Sequence, residues 1–71
     1  GTEIAVCIKR TNNGFRLNLR SNGKADVAEV AMKFGGGGHI KAAGATLDFD
    51  STEKAEKAVI DACKRALDKI I

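Results

Sequence analysis

Phe34-Gly35-Gly36-Gly37-Gly38-His39-Ile40-Lys41-Ala42-Ala43-Gly44 is the stretch around which this chain is organised. Four of the eight glycines stand there in one run, followed by the only histidine. Each ordered glycine costs roughly 0.5–1 kcal/mol relative to alanine, so the run needs a physical reason. Consecutive glycines let backbone N–H groups approach a ligand closely, and phosphate is the usual ligand of such a nest. The alternative is structural, with Gly35 ending a helix and the other glycines forming a linker.

Upstream of the glycines, the alternation of apolar residues predicts two strands. They span residues 3–10 and 15–20, and Asn13-Gly14 between them is a strong hairpin signal. A two-residue loop would pair Ile8 with Leu19, and a four-residue loop would pair Ile8 with Leu17. Either register keeps the apolar residues of both strands on one face. The opposite face of the second strand then carries Arg16, Asn18 and Arg20.

Helical periodicity follows on both sides of the glycine run. Asp26 and Glu29 have the spacing of a capping box, and the apolar residues of 27–34 predict a helix that ends at the glycines. A short third strand is predicted at 45–49, and Asp50 or Ser51 caps a final helix that runs to the chain end. The expected fold is α+β, with a small mixed sheet (a β-hairpin plus a third strand), two helices packed on one face and the order β-β-α-β-α. If the second and third strands are parallel, their crossover should be right-handed.

Composition limits the class of protein. The 71 residues, of which 44% are hydrophobic and 30% charged, suit one small globular domain. We expect this domain to span residues 3–71 and Gly1-Thr2 to be a cut edge or cloning remnant. One histidine and two distant cysteines do not suit a zinc site, and two buried thiols are preferred over a disulfide. The sequence shows no membrane-spanning segment and no signal peptide, so we expect a cytoplasmic protein with no membrane partner.

Positive charge accompanies the glycine run. The net charge is +3, but residues 9–41 contain seven basic residues and two acidic ones, a local balance of +5, which leaves −2 for the rest. This distribution suits an anionic ligand. The basic residues of that region are Lys9, Arg10, Arg16, Arg20, Lys24, Lys33 and Lys41.

Three side chains are candidates for contact with such a ligand. Arg20 can engage phosphate through two N–H groups, and the Ser21 hydroxyl can add a donor; the alternative is an ordinary surface arginine that ends a strand. His39 follows the glycines directly, which favours a contact role over a structural one and leaves an acid–base role as the least favoured. Weaker, supporting charges are Lys41, Lys24 and Arg16. No catalytic residue and no metal ligand is predicted in the chain.

The spacing of these segments resembles a known family. The chain looks like the DHHA1 domain in three segments. These are Leu19-Arg20-Ser21, a helix start at Asp26-Val27, and the run from Phe34 to Gly44 continued by Ala45-Thr46. This is the C-terminal domain of DHH-family phosphoesterases, whose signature is a GGGH run followed by an alanine-glycine turn. The resemblance covers nearly the whole chain and is strongest to the bacterial nanoRNase type, which also dephosphorylates 3′-phosphoadenosine 5′-phosphate.

The resemblance implies a binding role for this chain and hydrolysis elsewhere. An N-terminal DHH domain of the same chain would hold two Mn²⁺ ions and act as phosphodiesterase, exonuclease or nucleotide phosphatase. The present domain would grip phosphate and the terminal nucleotide through Arg20, Ser21, Gly35, Gly36, Gly37, Gly38 and His39. Its ligand would be short single-stranded RNA or DNA, a dinucleotide or 3′-phosphoadenosine 5′-phosphate. A valine at Gly37 should then impair both folding and binding.

Three other functions stay open at this point. A stand-alone nucleic-acid-binding module would bind usefully by itself with a strong salt dependence, although the Arg16/Asn18/Arg20 face has no stacking aromatic residue. The C-terminal domain of alanyl-tRNA synthetases is related, but His39 argues against it because that histidine is usually not kept there. A purely structural or dimerisation domain would respond to no nucleotide.

Overall fold

The N-terminal hairpin forms with the second of the two expected registers. The computed structural model describes residues 3–70, so the prediction about Gly1-Thr2 lies outside the described residues. Strand β1 (Ile4–Thr11) pairs antiparallel with β2 (Gly14–Ser21), and Ile8 lies opposite Leu17. The turn between them is Asn12-Asn13, since Thr11 pairs with Gly14. The predicted common face is confirmed, because Phe15, Leu17 and Leu19 are buried and their neighbours along β2 are exposed.

Helix α1 (Val27–Met32) begins after the predicted cap Asp26 and ends two residues before Phe34, the last residue of the predicted helix. The Asp26 side chain accepts a hydrogen bond from the Glu29 backbone N–H at 3.1 Å. At the other end the Gly35 N–H donates to the Met32 carbonyl and the Gly36 N–H donates to the Ala31 carbonyl. Gly35 has a φ of 78°, the left-handed conformation of a Schellman ending, which glycine adopts without Cβ strain. The first two glycines therefore terminate α1.

The next glycines form a strand, which the sequence analysis missed. Strand β3 (Gly37–His39) turns at Ile40-Lys41 into β4 (Ala42–Leu47), and the two strands are antiparallel. The third strand predicted at 45–49 is thus corrected to residues 42–47, with an extra strand before it. A run of glycines has no side-chain alternation and low β propensity, so periodicity cannot reveal it.

The sheet has the order β1-β2-β4-β3, and every neighbouring pair is antiparallel. The predicted mixed sheet is therefore wrong in detail, and the crossover rule for parallel strands does not apply between β2 and β4. The observed order is β-β-α-β-β-α. The α+β class itself is confirmed, with both helices on one face of the sheet.

Helix α2 (Thr52–Asp68) completes the core. Ser51, one of the two predicted caps, accepts a hydrogen bond from the Lys54 N–H through its hydroxyl at 3.2 Å. An ion pair between Lys69 and Glu29 links the end of α2 to α1. The largest fully buried side chains come from β2, β4 and both helices, namely Leu17, Leu19, Leu47, Val27, Val30 and Val59. Both helices lie on one side, and no helix of residues 3–70 covers the other side of the sheet.

Candidate functional site

The uncovered side of the sheet, which we call the open face, is defined by strand parity. Residues that alternate with the buried ones point away from the helices, and the strand registers align them in rows. The open face consists of Ala5, Cys7, Lys9, Arg16, Asn18, Arg20, Gly37, His39, Ala42, Gly44 and Thr46. It brings Arg16 and Arg20 together with Gly37 and His39 of the glycine-histidine motif.

The open face carries positive charge without compensation. None of the nine acidic residues of the chain falls within a strand. Within residues 3–70 the ion pairs are Lys54–Asp50 and Lys69–Glu29, and neither involves an open-face residue. Cations that have no carboxylate partner attract an anionic ligand and are free to form charge-assisted hydrogen bonds with it.

One row of the open face places two predicted contact residues on either side of Ala42. Arg20 lies next to Ala42 on β4, and Ala42 lies next to His39 on β3. Since neighbouring strands are about 4.8 Å apart, the two backbones stand roughly 10 Å from each other. The small Ala42 side chain leaves the space between arginine and histidine open. The pair can therefore approach one phosphate from two sides.

The adjacent row consists of Asn18, Gly44 and Gly37, so its floor has almost no side chains. A shallow groove of about 280 Å³ lies over this part of the sheet, lined by Arg16, Asn18, Leu19, Arg20, Gly37, Gly38, Ala42, Ala43 and Gly44. Among the strands of residues 3–70, β3 pairs with β4 alone, so alternate N–H groups of this edge strand point sideways away from the sheet. The cationic groove thus lies beside an edge that offers unpaired backbone donors.

The glycines of the run differ in what an added side chain would contact. A Cβ atom at Gly36 would overlap the carbonyl oxygen of Gly44, and one at Gly38 would lie 2.7 Å from the Cα of Ala43. At Gly37, by contrast, a Cβ would meet no heavy atom within 4 Å, and the backbone φ is not positive. The expected folding defect of Gly37→Val is therefore corrected. The fold does not require glycine there, and only the bare floor of the groove depends on it.

Other predicted residues lie outside the groove. Gly35 and Gly36 end α1, and Lys24 is exposed in the connection between β2 and α1. Ser21 is buried, and its hydroxyl accepts a hydrogen bond from the Gly23 N–H at 3.3 Å. That bond gives Ser21 a structural task, and its contact with a ligand stays a prediction.

A second cavity, of about 650 Å³, opens where the sheet ends beyond Arg20. Lys41 on the β3–β4 turn and Ser21 line it, together with Cys63 and Leu67 from α2. Arg20 borders both this cavity and the groove. Of the predicted residues, Arg20 is therefore the one that can reach a ligand in either place.

Asn18 and Gly44 are groove residues that sequence reasoning did not select. Asn18 shares strand parity with Arg16 and Arg20, a signal that was visible in the sequence. Gly44 joins the site only through the β2–β4 pairing, which places it opposite Asn18 from 26 positions away.

The two thiols differ in exposure. Cys63 is buried as predicted, and this burial raises the pKa of its thiol. Cys7 is exposed on the open face, so the prediction of two buried thiols is wrong for Cys7. Within residues 3–70, no group of three or more His, Cys, Asp or Glu side chains is arranged to hold a metal ion. In the same part of the chain, neither helix is long and apolar enough to cross a membrane.

Several known proteins are similar to this chain in sequence. The chain is similar to the bifunctional oligoribonuclease and PAP phosphatase NrnA of Thermus thermophilus, with 34% identity over 67 residues. These residues are 94% of this chain and 21% of that protein. The chain is also similar to the bifunctional oligoribonuclease and PAP phosphatase NrnA of Mycoplasma pneumoniae, with 55% identity over 40 residues, which are 56% of this chain and 12% of that protein. The NrnA protein of Mycoplasma genitalium has 38% identity over 60 residues, which are 84% of this chain and 18% of that protein.

The chain thus spans about a fifth or less of the length of the curated relatives it matches. None of these three relatives is named as an alanyl-tRNA synthetase. A family profile described as "DHHA1 domain" matches residues 1–67, almost the whole chain. The chain belongs to the DHHA1 domain family, and its similarity to three NrnA proteins agrees with the expected nanoRNase type.

Proposed function

We propose that this chain is the substrate-binding domain of a DHH/DHHA1 phosphoesterase, and that its open face grips the phosphate and terminal nucleotide of the substrate. The substrates are short single-stranded RNA or DNA, a dinucleotide or 3′-phosphoadenosine 5′-phosphate. One observation carries the proposal. Gly37 is bare on a cationic face although the fold leaves room for a side chain there.

In this proposal hydrolysis takes place outside the chain. A DHH domain of the same polypeptide holds Mn²⁺ and supplies the metal-dependent chemistry, while the DHHA1 domain binds and orients the substrate. The isolated chain is then expected to bind nucleotides weakly and not to cleave them, and the parent is a bacterial, cytoplasmic enzyme.

The binding roles follow from chemistry and placement. The planar guanidinium of Arg20 donates two parallel N–H groups to phosphate oxygens. The His39 ring donates from the opposite side of Ala42, and the outward N–H groups of the glycine strand add neutral donors. Each contact is made by a group that has no acidic partner within residues 3–70.

The aromatic residues argue against a stand-alone module for single strands. Phe15 is buried on the helix side, and Phe34 and Phe49 pack on the core, where their rings meet edge to face at 6.4 Å. The open face therefore offers no phenylalanine, tyrosine or tryptophan ring on which successive bases could stack. A half-site that relies on phosphate contacts suits a domain that shares its ligand with a second domain.

A kinetic test in the full-length enzyme separates binding from chemistry at His39. We expect His39→Ala to raise KM for a dinucleotide about tenfold, while kcat changes less than about threefold, since a contact made equally in ground and transition states affects KM alone. Lys57→Gln on the exposed side of α2 serves as the control and should change neither constant. A large fall in kcat with an altered pH profile would instead give His39 a role in proton transfer and contradict the proposal.

A further inference from the structure

The Arg16 side chain extends from β2 over Gly44 on β4, into space that a side chain at position 44 would fill. A Cβ atom at Gly44 would be 2.9 Å from Arg16 Nη2 and 3.4 Å from Asn18 Oδ1. The guanidinium and the amide therefore both occupy the space over Gly44, one strand away from their own backbone. Arg16 is exposed, and within residues 3–70 no carboxylate forms an ion pair with it.

Room for an anion lies next to this pair. Gly37 stands beside Gly44 in the same row, and nothing occupies the 4 Å around the position of its missing Cβ. The shallow groove includes Arg16, Asn18, Gly37 and Gly44 among its lining residues. A guanidinium fork and two bare glycines are the elements of a phosphate site. The Asn18 amide presents its Oδ1 to Gly44 and donates to a phosphate there only after the amide turns to present Nδ2.

The Asn18 row is separate from the row that holds Arg20 and His39. Asn18 and Arg20 are two residues apart on β2, so the two rows lie roughly 6.6–6.8 Å from each other along the strand. This spacing is comparable to the distance between successive phosphates in an extended single strand. It is also comparable to the distance between the two phosphates of a nucleoside 3′,5′-bisphosphate.

We propose that the open face has two phosphate subsites one nucleotide apart. Arg20 and His39 form the first, and Arg16 with Asn18 over Gly44 forms the second. This inference rests on the proposed function and extends it, because it defines the recognised unit as a nucleoside with a phosphate on each side. An internal nucleotide of a short oligonucleotide and 3′-phosphoadenosine 5′-phosphate both contain this unit. The open face then serves both ligands.

The test compares two ligands that differ by one phosphate. The 71-residue chain is titrated with adenosine 5′-monophosphate and with 3′-phosphoadenosine 5′-phosphate at one fixed ionic strength. The unaltered chain should bind the bisphosphate at least about tenfold more tightly. Arg16→Gln should lower the bisphosphate affinity about tenfold and the monophosphate affinity no more than about twofold. Arg16→Lys, which keeps the charge but loses the fork, should fall in between.

Each other result counts against one defined part of the account. If Arg16→Gln weakens both ligands equally, or neither, the second subsite does not exist. Should Arg20→Gln still weaken binding about tenfold or more in that case, the proposed function stands and only this inference fails. If the unaltered chain shows no binding of either ligand at a ligand concentration of about 10 mM, the proposed function and the inference fail together. Lys57→Gln should match the unaltered chain with both ligands.

Discussion

Replacing Arg20 with glutamine is expected to weaken the binding of 3′-phosphoadenosine 5′-phosphate by about tenfold to a hundredfold. Hydrogen bonds to charged groups contribute about 1.5–3 kcal/mol, and about 1.4 kcal/mol corresponds to a factor of ten. Arg20 borders both cavities and lies opposite His39 across Ala42. Its loss should therefore affect every ligand that places a phosphate on the open face.

The same substitution should leave stability almost unchanged. Arg20 is exposed and has no ion pair within residues 3–70, so the free energy of unfolding should change by no more than about 0.5 kcal/mol. Lys57→Gln removes an equal charge from the helix side and is the matched control for binding. Equal weakening in both variants would mean that the ligand responds to net charge alone, and the assigned site would be wrong.

Valine substitutions at the adjacent positions Gly36 and Gly37 should have opposite consequences. Gly36→Val forces a side chain into the Gly44 carbonyl and the Ala45 methyl, and such overpacking costs about 1–3 kcal/mol, occasionally more. For a domain this small, that is a large part of the total stability. Gly37→Val adds its side chain in open space, so unfolding should be nearly unaffected while the filled groove binds bisphosphate at least about tenfold more weakly.

Urea unfolding followed by ligand titration distinguishes the two variants. The account requires the stability loss at Gly36 and the binding loss at Gly37. If Gly37→Val binds as tightly as the unaltered chain, the bare position does not serve ligand approach, and the observation that carries the proposed function loses its force. If Gly37→Val unfolds as readily as Gly36→Val, the structural distinction between the two glycines is wrong.

Elements with strong side-chain periodicity could be predicted from the sequence. The hairpin face followed from alternation in β1 and β2, and the caps Asp26 and Ser51 followed from side chains that bond to backbone N–H groups. Strand β3 could not be predicted in this way, because glycines carry no pattern. Its formation depends on tertiary pairing with β4, which also makes the sheet wholly antiparallel.

The candidate site was predictable in its chemistry but not in its assembly. The sequence marked Arg20, His39 and the glycines as one motif, yet the structure divides the glycines between a helix ending and a groove floor. Asn18 and Gly44 became neighbours only through the β2–β4 register. Contacts between residues far apart in sequence depend on that register, and one sequence does not define it before the strands are paired.

The central claim is that phosphate binds on the open face. Its most direct test follows the amide chemical shifts of the isotopically labelled chain during a titration with 3′-phosphoadenosine 5′-phosphate. We expect saturable shifts at Asn18, Arg20, Gly37, Gly38 and His39, weaker at higher salt, while the amides in the middle of α2 stay still. Saturable shifts confined to the helix side, or no saturable shift at the open face up to the solubility of the ligand, would contradict the account.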